Sequence, residues 1–192
     1  MRRAVALILF LACAVAAGCA PVSVGAPVVQ ALPAGQAPQE RLAAALVAAE
    51  AASAMDDQQA LARALADIDA LGGRPDDPAD EVRLAAWQAQ SGVAIPMRGR
   101  TLGRGYRSGT ITPGSNMVIA QTFLSGQKAS IALSATGGKE LGLSVLDGRD
   151  QPVCREQSPR ASCSWVPLFT QRHTIHLRKP GPREVRYYLV ID

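Results

Sequence analysis

Residues 129–148 read ASIALSATGGKELGLSVLDG and contain two runs in which every second residue is apolar. The first run centres on Ile131 and the second on Leu143. A side-chain period of two is typical of a β-strand that buries one face. The pairs Gly137-Gly138 and Asp147-Gly148, which follow the runs, are turn signals. The stretch therefore predicts two short strands that each turn one face toward a hydrophobic core.

The same pattern extends over the C-terminal half of the chain. Alternation returns between Val185 and Ile191, and turns with Gly or Pro recur along the segment, which favours an antiparallel sandwich. The predicted fold is mainly β: an antiparallel, jelly-roll-like β-sandwich over residues 98–192, preceded by a short α-helical segment. The strands are expected near 108–112, 117–124, 127–134, 141–147, 151–155, 162–166, 172–178 and 184–191.

Residues 39–92 have the composition of helices, because leucines recur there at helical spacing among many alanines. Asp56-Asp57 either begins a second helix or lies within one long helix. A further helix is predicted from Asp77, a favourable N-cap residue, and Pro78 to Gly92. Because Ala dominates their apolar faces, these helices are expected to dock on a larger element or to pair with each other.

The N-terminus has the layout of an export signal. Two arginines precede an apolar stretch that is shorter than the ~18–20 residues of a membrane span, which predicts a signal peptide at residues 1–18. Residues 16–19 read AAGC and resemble the lipobox of bacterial lipoproteins, in which the Cys is acylated and becomes the mature N-terminus. Cys19 is therefore predicted to be lipidated. Cleavage by an ordinary signal peptidase after Ala16 is the alternative.

The predicted processing changes the net charge and defines a tether. The full chain carries +4, and removing residues 1–18 with their two arginines leaves 18 basic minus 16 acidic residues, or +2. This charge is too small to indicate a nucleic-acid partner. Residues 19–38, rich in Pro, Ala and Gly, are predicted to form a flexible tether that reaches roughly 25 Å. Ala20 after the Cys favours the outer membrane, so the expected location is the periplasmic side of the cell envelope.

Cys154 and Cys163 remain when Cys13 is cleaved and Cys19 is acylated. Exported proteins keep their disulfides, and a C-x₈-C pair without nearby ligands has poor spacing for zinc. The two residues are predicted to form a disulfide between antiparallel neighbouring strands, with residues 158–160 in the turn.

Few residues offer catalytic or metal-binding chemistry. His173 and His176 lie three apart on a predicted strand and face opposite sides, so they cannot share a metal. His173 is expected at the edge of the core and His176 in solvent. Asp147 and Asp150, with Glu140 nearby, are weak candidates for calcium ligands, and a solvated turn explains them equally well. No catalytic residue, metal or cofactor is predicted.

Two other groups of residues could serve recognition. Trp87 and Trp165 could anchor a carbohydrate or a partner protein, although Trp165 is expected to pack against the disulfide. A basic, Gly-spaced run could contact phosphate or lipid headgroups, with a solvated linker as the preferred interpretation; it consists of Arg98, Arg100, Arg104 and Arg107.

Five stretches follow one another in a familiar order: FLSGQ at 123–127, LGLSVLDG at 141–148, CSWVP at 163–167, TIHL at 174–177 and YYLV at 187–190. In this order they resemble the bacterial pre-peptidase C-terminal domain, and the resemblance spans residues 105–192. It implies a β-sandwich with jelly-roll-like topology that contributes no catalytic residues. The chain departs from the family arrangement because a helical segment, and not a peptidase, precedes the domain.

These observations predict a non-enzymatic, lipid-anchored protein of the cell envelope whose β-sandwich serves in binding or scaffolding. The alternatives are an accessory or regulatory subunit of an envelope hydrolase or peptidase, and a glycan-binding module. The expected partners are the membrane, through the N-terminal lipid, and an envelope protein or glycan.

Overall fold

The computed structural model describes residues 36–92 and 103–192. The predicted signal peptide, Cys19, Arg98 and Arg100 lie outside the described residues. Within these residues, three α-helices and nine strands follow one another: α1 (Pro38–Ala54), α2 (Gln58–Ala70), β1 (Gly73–Pro75), α3 (Pro78–Ser91), β2 (Arg104–Ile111), β3 (Asn116–Phe123), β4 (Ala129–Ala135), β5 (Leu141–Leu146), β6 (Pro152–Ser158), β7 (Arg160–Trp165), β8 (Gln171–Arg178) and β9 (Val185–Ile191).

The strands form two sheets. Sheet A has the order β1-β2-β9-β4-β7, and sheet B has the order β3-β8-β5-β6. Strands β2 to β9, counted one to eight, thus lie in the orders 1-8-3-6 and 2-7-4-5, which is the arrangement of a jelly roll. The mainly-β fold and the preceding helical segment predicted from the sequence are confirmed. The short strand β1 was not predicted, and it pairs parallel to β2.

The core between the sheets follows the predicted alternation. In β5 the apolar residues Leu141, Leu143 and Val145 are buried, and the residues between them are partly exposed. Strand β4 differs, because all seven of its residues are buried. The alternation in β4 therefore separates two buried faces. Large Ile131 and Leu133 point between the sheets, and the small residues Ser130, Ala132 and Ser134 point to the other side.

The helices cover that other side. Helix α1 packs against β4 and β9, and its buried alanines meet the small side chains of sheet A. Tyr106, Tyr188 and Val190 of the sheet join this second core together with Leu42, Leu46 and residues of α2 and α3. Both expectations for the Ala-rich helices hold, since they pair with each other and dock on the sandwich. Among the described helices, none is long and apolar enough to cross a membrane.

Capping residues set the helix boundaries. Asp57 begins α2 and accepts a hydrogen bond from the backbone N–H of Ala60 at 2.9 Å, so residues 39–71 form two helices. Asp77 caps α3 through the N–H of Ala79 at 2.8 Å, with Pro78 in the first turn. Helix α3 ends at Gly92, whose φ of 66° lies in the left-handed region that glycine tolerates.

A polar cluster joins the helix layer to sheet A. The hydroxyl of Tyr188 donates a hydrogen bond to Glu50 Oε2 at 2.7 Å. Arg83 from α3 lies 3.3 Å from the same oxygen, and Arg186 from β9 lies 3.4 Å from Glu50 Oε1. Burial, followed by the hydrogen bond to Glu50, raises the pKa of the Tyr188 hydroxyl far above its usual range. The cluster thereby satisfies Glu50 where α1, α3 and β9 meet.

Cys154 and Cys163 form a disulfide, with their Cα atoms 6.0 Å apart. The predicted setting needs correction, because β6 pairs with β5 in sheet B and β7 pairs with β4 in sheet A. The two cysteines are therefore not hydrogen-bonded neighbours within one sheet. The chain passes from sheet B to sheet A at Pro159, and the disulfide joins the adjacent edges of the two sheets.

Truncating the buried side chain of Leu46 tests the docking of the helix layer. Leu46 is 0% exposed, so Leu46→Ala should lower the free energy of unfolding by about 2–5 kcal/mol in urea titrations. Val82→Ala is the matched control, because Val82 lies in α3 but is 71% exposed, and the change should stay within about 0.5 kcal/mol. Equal, small effects at both positions would contradict a docked helix layer.

Removing the disulfide should loosen the edge at which the sheets meet. Cys154→Ser should lower the free energy of unfolding by roughly 2–4 kcal/mol, because a short closed loop no longer restricts the unfolded chain. Alkylation of the folded, unreduced protein should label neither Cys154 nor Cys163, and both should react after unfolding and reduction. Labelling of both residues without reductant would show that the bridge is absent.

Candidate functional site

The outer face of sheet B is the exposed face of the sandwich. In β8 the side chains of His173, Ile175 and Leu177 point inward and are buried, and those of Arg172 and Arg178 point outward into solvent. In β3, Asn116 and Val118 are likewise exposed. Because helices cover sheet A, a ligand that approaches a sheet face meets sheet B.

A groove follows strand β5 along this face. Strand β5 lies between β8 and β6, and its outward residues Gly142 and Ser144 are small. Gly142 lies opposite Arg178 on one side and Gln157 on the other, and Ser144 lies opposite His176 and Arg155 in the same way. The small residues form the floor, and the longer side chains form two walls. The cavity measures about 690 Å³, which is within the usual range for ligand sites.

The groove is basic. Arg155, Arg178, Lys179 and His176 line it, and Glu156 is the one carboxylate among the described residues of the lining. Neither Arg155 nor Arg178 forms an ion pair with any residue in 36–92 or 103–192. Lys179 is only 8% exposed, and its ammonium group donates a hydrogen bond to the carbonyl of Pro180. The cationic groups of the groove thus exceed its acidic ones.

His176 lies on one wall of the groove and is held by a neighbour. The side-chain amide nitrogen of Asn116 lies within hydrogen-bond distance of His176 Nδ1, at 3.3 Å. This contact leaves the other ring nitrogen, Nε2, available to the groove.

His173 has a structural role in the core. It is buried as its position on the strand predicts, and the indole N–H of Trp165 donates a hydrogen bond to His173 Nε2 at 3.3 Å. The ring of Phe123 packs edge-on against Trp165 and His173, at centroid distances of 4.8 and 5.3 Å. Trp87 is also buried, 6.3 Å from the ring of Tyr188. Trp87 therefore offers no open platform for a carbohydrate, whereas Trp165 is partly exposed beside Phe123 and His173.

The candidate calcium ligands lie in a tight turn. Asp147 Oδ1 accepts hydrogen bonds from the backbone N–H groups of Arg149 and Gln151 at 2.8 and 2.9 Å. These two hydrogen bonds lower the pKa of the Asp147 carboxyl below its usual value. Asp150 adopts a left-handed φ of 59° in the same turn. Over the parts of the chain that the structure describes, no three His, Cys, Asp or Glu side chains are grouped as a metal site.

Arg104, which belongs to the basic run, lies at one end of sheet A. Arg104 forms an ion pair with Asp192 at 3.0 Å and donates a hydrogen bond to the carbonyl of Leu71 at 2.8 Å. A Cβ atom on Gly105 would lie 2.2 Å from Asp76 Oδ2, so glycine permits the close approach of the neighbouring chain. The Gly103-Arg104-Gly105 sequence thus serves packing.

Sequence reasoning did not find the groove, because its residues come from four separate strands. Their relation depends on the order β3-β8-β5-β6, which brings residues 116, 142, 155 and 176 side by side. The sequence feature that could have indicated the groove is the series of polar residues on the outward positions of β8, from Arg172 to Arg178.

No protein-family model matches the chain, and no curated protein matches it. Solved structures with a similar fold include the pre-peptidase C-terminal domain of a collagenase from Bacillus anthracis, at 11% identity over 46% of this chain and 89% of that chain, with a TM-score of 0.39. A mitogen from Yersinia pseudotuberculosis matches at 14% identity over 46% and 84% of the two chains, with a TM-score of 0.39. A periplasmic inhibitor of g-type lysozyme from Aeromonas hydrophila matches at 10% identity over 46% and 84%, again with a TM-score of 0.39. The chain thus shares partial, low-identity similarity with small β-sandwich domains, and this similarity assigns it neither a family nor an activity.

Proposed function

We propose that this chain is a non-catalytic binding module of the bacterial cell envelope, and that its groove on sheet B holds a ligand that bears carboxylate or phosphate groups. The observation that carries the proposal is the excess of cationic groups over a floor of small residues. Arg155 stands on one wall and Arg178 on the other, and neither is neutralised by an ion pair with a described residue.

The chemistry of the walls suits an oxyanion. A guanidinium group presents a planar set of N–H donors that matches carboxylate and phosphate oxygens. The ring of His176 adds a polar group to the same groove, and the amide of Gln157, which donates one hydrogen bond to Glu140, adds another. The side chains rise from paired strands, so the site is held in place before a ligand binds. Because the groove has no Phe, Tyr or Trp among its described lining residues, oxyanion recognition is favoured over stacking on a neutral sugar.

The arrangement of Ser144 and His176 argues against a hydrolytic site. They are cross-strand partners, but they share no hydrogen bond. The Asn116 amide nitrogen lies 3.3 Å from Nδ1 of the ring, so that nitrogen is directed to Asn116 and not to the Ser144 hydroxyl. A nucleophile with an adjacent base is therefore not assembled at these residues.

The envelope location rests on the N-terminal sequence. The AAGC sequence that ends at Cys19 supports lipid attachment, and a disulfide between Cys154 and Cys163 suits an oxidising compartment. In this proposal the lipid holds the module at the membrane, and the tether lets the groove sample nearby ligands.

Substitution of the lipidated residue tests the anchor. Cys19→Ala should move the protein from the membrane fraction into the soluble fraction of the envelope, because the acyl chains supply most of the membrane affinity. Fractionation followed by detection of the protein measures the change. Membrane retention at the wild-type level would show that the lipobox interpretation is wrong.

Binding measurements with acidic and neutral probes test the groove. Wild-type protein should bind an oligosaccharide of uronic acids or inorganic phosphate in calorimetric titrations, and should bind a neutral glucan more weakly. The double variant Arg155→Gln/Arg178→Gln should lose about tenfold or more in affinity, since each charged hydrogen bond contributes about 1.5–3 kcal/mol.

Matched controls distinguish binding in the groove from a general effect of the protein's charge. Arg149→Gln/Arg160→Gln removes the same charge from exposed positions outside the groove lining and should leave affinity unchanged. Gly142→Leu keeps every charge but fills the floor, and the space above Gly142 admits a Cβ at ordinary contact distance. It should abolish binding in a folded protein. No binding of either acidic probe, or equal losses in both double variants, would refute this site.

A further inference from the structure

A second exposed feature lies at one end of the sandwich. Leu124, Val166, Leu168 and Phe169 form an apolar tip contributed by the β3–β4 and β7–β8 loops. Leu168 is 83% exposed and Phe169 is 64% exposed, so both side chains stand away from the surface. Clusters of large apolar side chains are rarely left in water without a role in contact.

The tip is held in its exposed position. The N–H of Gly126 donates a hydrogen bond to the carbonyl of Pro167 at 2.9 Å, which joins the two loops. The N–H of Ser125 donates another to Thr170 Oγ1 at 3.0 Å. Phe123 and Trp165 pack beneath the loops. The loops therefore support each other and cannot fold the apolar residues inward without losing these contacts.

The charges around the tip are those of a surface that meets anionic lipid. Residues 124–128 and 166–170 contain no acidic residue, and Lys128 and Arg172 flank the loops. The 147–151 turn approaches the same end, because Gly148 lies beside Gln171. Its Asp147, which is hydrogen-bonded within its own turn, and Asp150 are opposed by Arg149. Together with Lys128 and Arg172, this end thus carries three basic and two acidic residues. Cations beside an apolar tip favour a negatively charged bilayer surface.

The described chain enters the domain at this end. Leu42, near the start of α1, lies against Gly73 of β1, and Gly73 pairs with Arg104 at the start of β2. Arg104 forms an ion pair with Asp192, which follows β9. The backbone of Asp192 hydrogen-bonds Ser130, which lies two residues after Lys128. Glu50, further along α1, instead reaches Arg186 at the start of β9. Helix α1 thus begins on the side of the tip, where a tether from a membrane anchor would join the domain.

We propose that the apolar tip inserts Leu168 and Phe169 into the interfacial layer of the lipid bilayer to which the chain is anchored. This inference rests on the proposed function, because the proposed lipid anchor brings the membrane close to the domain. The contact with the bilayer is made by the apolar tip itself. The groove near Asn116 lies at the far end of β3, about 23 Å from Phe123 at the usual rise per residue. Insertion of the tip would therefore orient the groove away from the bilayer.

Tryptophan fluorescence at the tip tests the insertion. Phe169→Trp and, as the control, Val118→Trp on the exposed face of sheet B are each prepared as the mature lipidated chain and as its Cys19→Ala form. Each protein is mixed with vesicles of phosphatidylethanolamine and phosphatidylglycerol, with or without brominated acyl chains. The brominated chains should quench about half of the fluorescence of the tryptophan introduced at position 169 and little of that of the tryptophan introduced at position 118. The reason is that only a tip that enters the interface meets the acyl chains.

The two preparations keep the anchor and the tip distinguishable. Selective quenching at 169 in either form supports insertion, whether or not the anchor exists. Lipidated protein that floats with the vesicles but shows no quenching at 169 overturns insertion and leaves the anchor intact. If no lipidated form is produced, absence of quenching in the unlipidated chain overturns insertion as well. A blue-shifted emission at 169 without lipid, together with a dimer in sedimentation, would replace the bilayer with a second copy of the chain.

Discussion

The burial of sheet A on both faces is the constraint on which the rest of the structure depends. Strand β4 must serve two cores at once, so Ile131 and Leu133 point between the sheets, and Ser130, Ala132 and Ser134 point to the helices. The small side chains let α1 approach closely, and the alanines of α1 match them. Close packing of this kind transmits any change in side-chain volume to both layers. Sheet B is left to face solvent, and the groove lies there.

The difference between the covered sheet A and the exposed sheet B explains where polar residues are placed. On the helix side, the polar groups of Glu50 and Tyr188 satisfy each other at a place where an unpaired group would be costly. On the opposite side of the molecule, Arg155 and Arg178 can remain without ion pairs to any described residue because solvent reaches them. The same fold thus provides a closed polar cluster that stabilises the layers and an open basic surface for recognition.

The sequence predicted the elements whose signals are local. Alternation located β4, β5 and β9, and Asp77 with Pro78 predicted the start of α3. Features that depend on distant pairing were missed or misplaced. Strand β1 has three residues and exists only because β2 lies beside it. The disulfide partners were predicted, but their position on different sheets follows from the topology. The groove combines strands that are far apart in the chain, and no local pattern connects Asn116 with Arg155.

The bond between Tyr188 and Glu50 joins residues that are 138 positions apart, and it has a consequence for inheritance. Loss of the Tyr188 hydroxyl leaves Glu50 with its two arginines, whereas loss of Glu50 leaves Tyr188, Arg83 and Arg186 without the acceptor that they share. Divergent descendants of this gene should therefore change position 188 more freely than position 50. Lineages that lost the carboxylate should also carry changes at 83 and 186, because either cation would otherwise remain partly buried without its counter-charge.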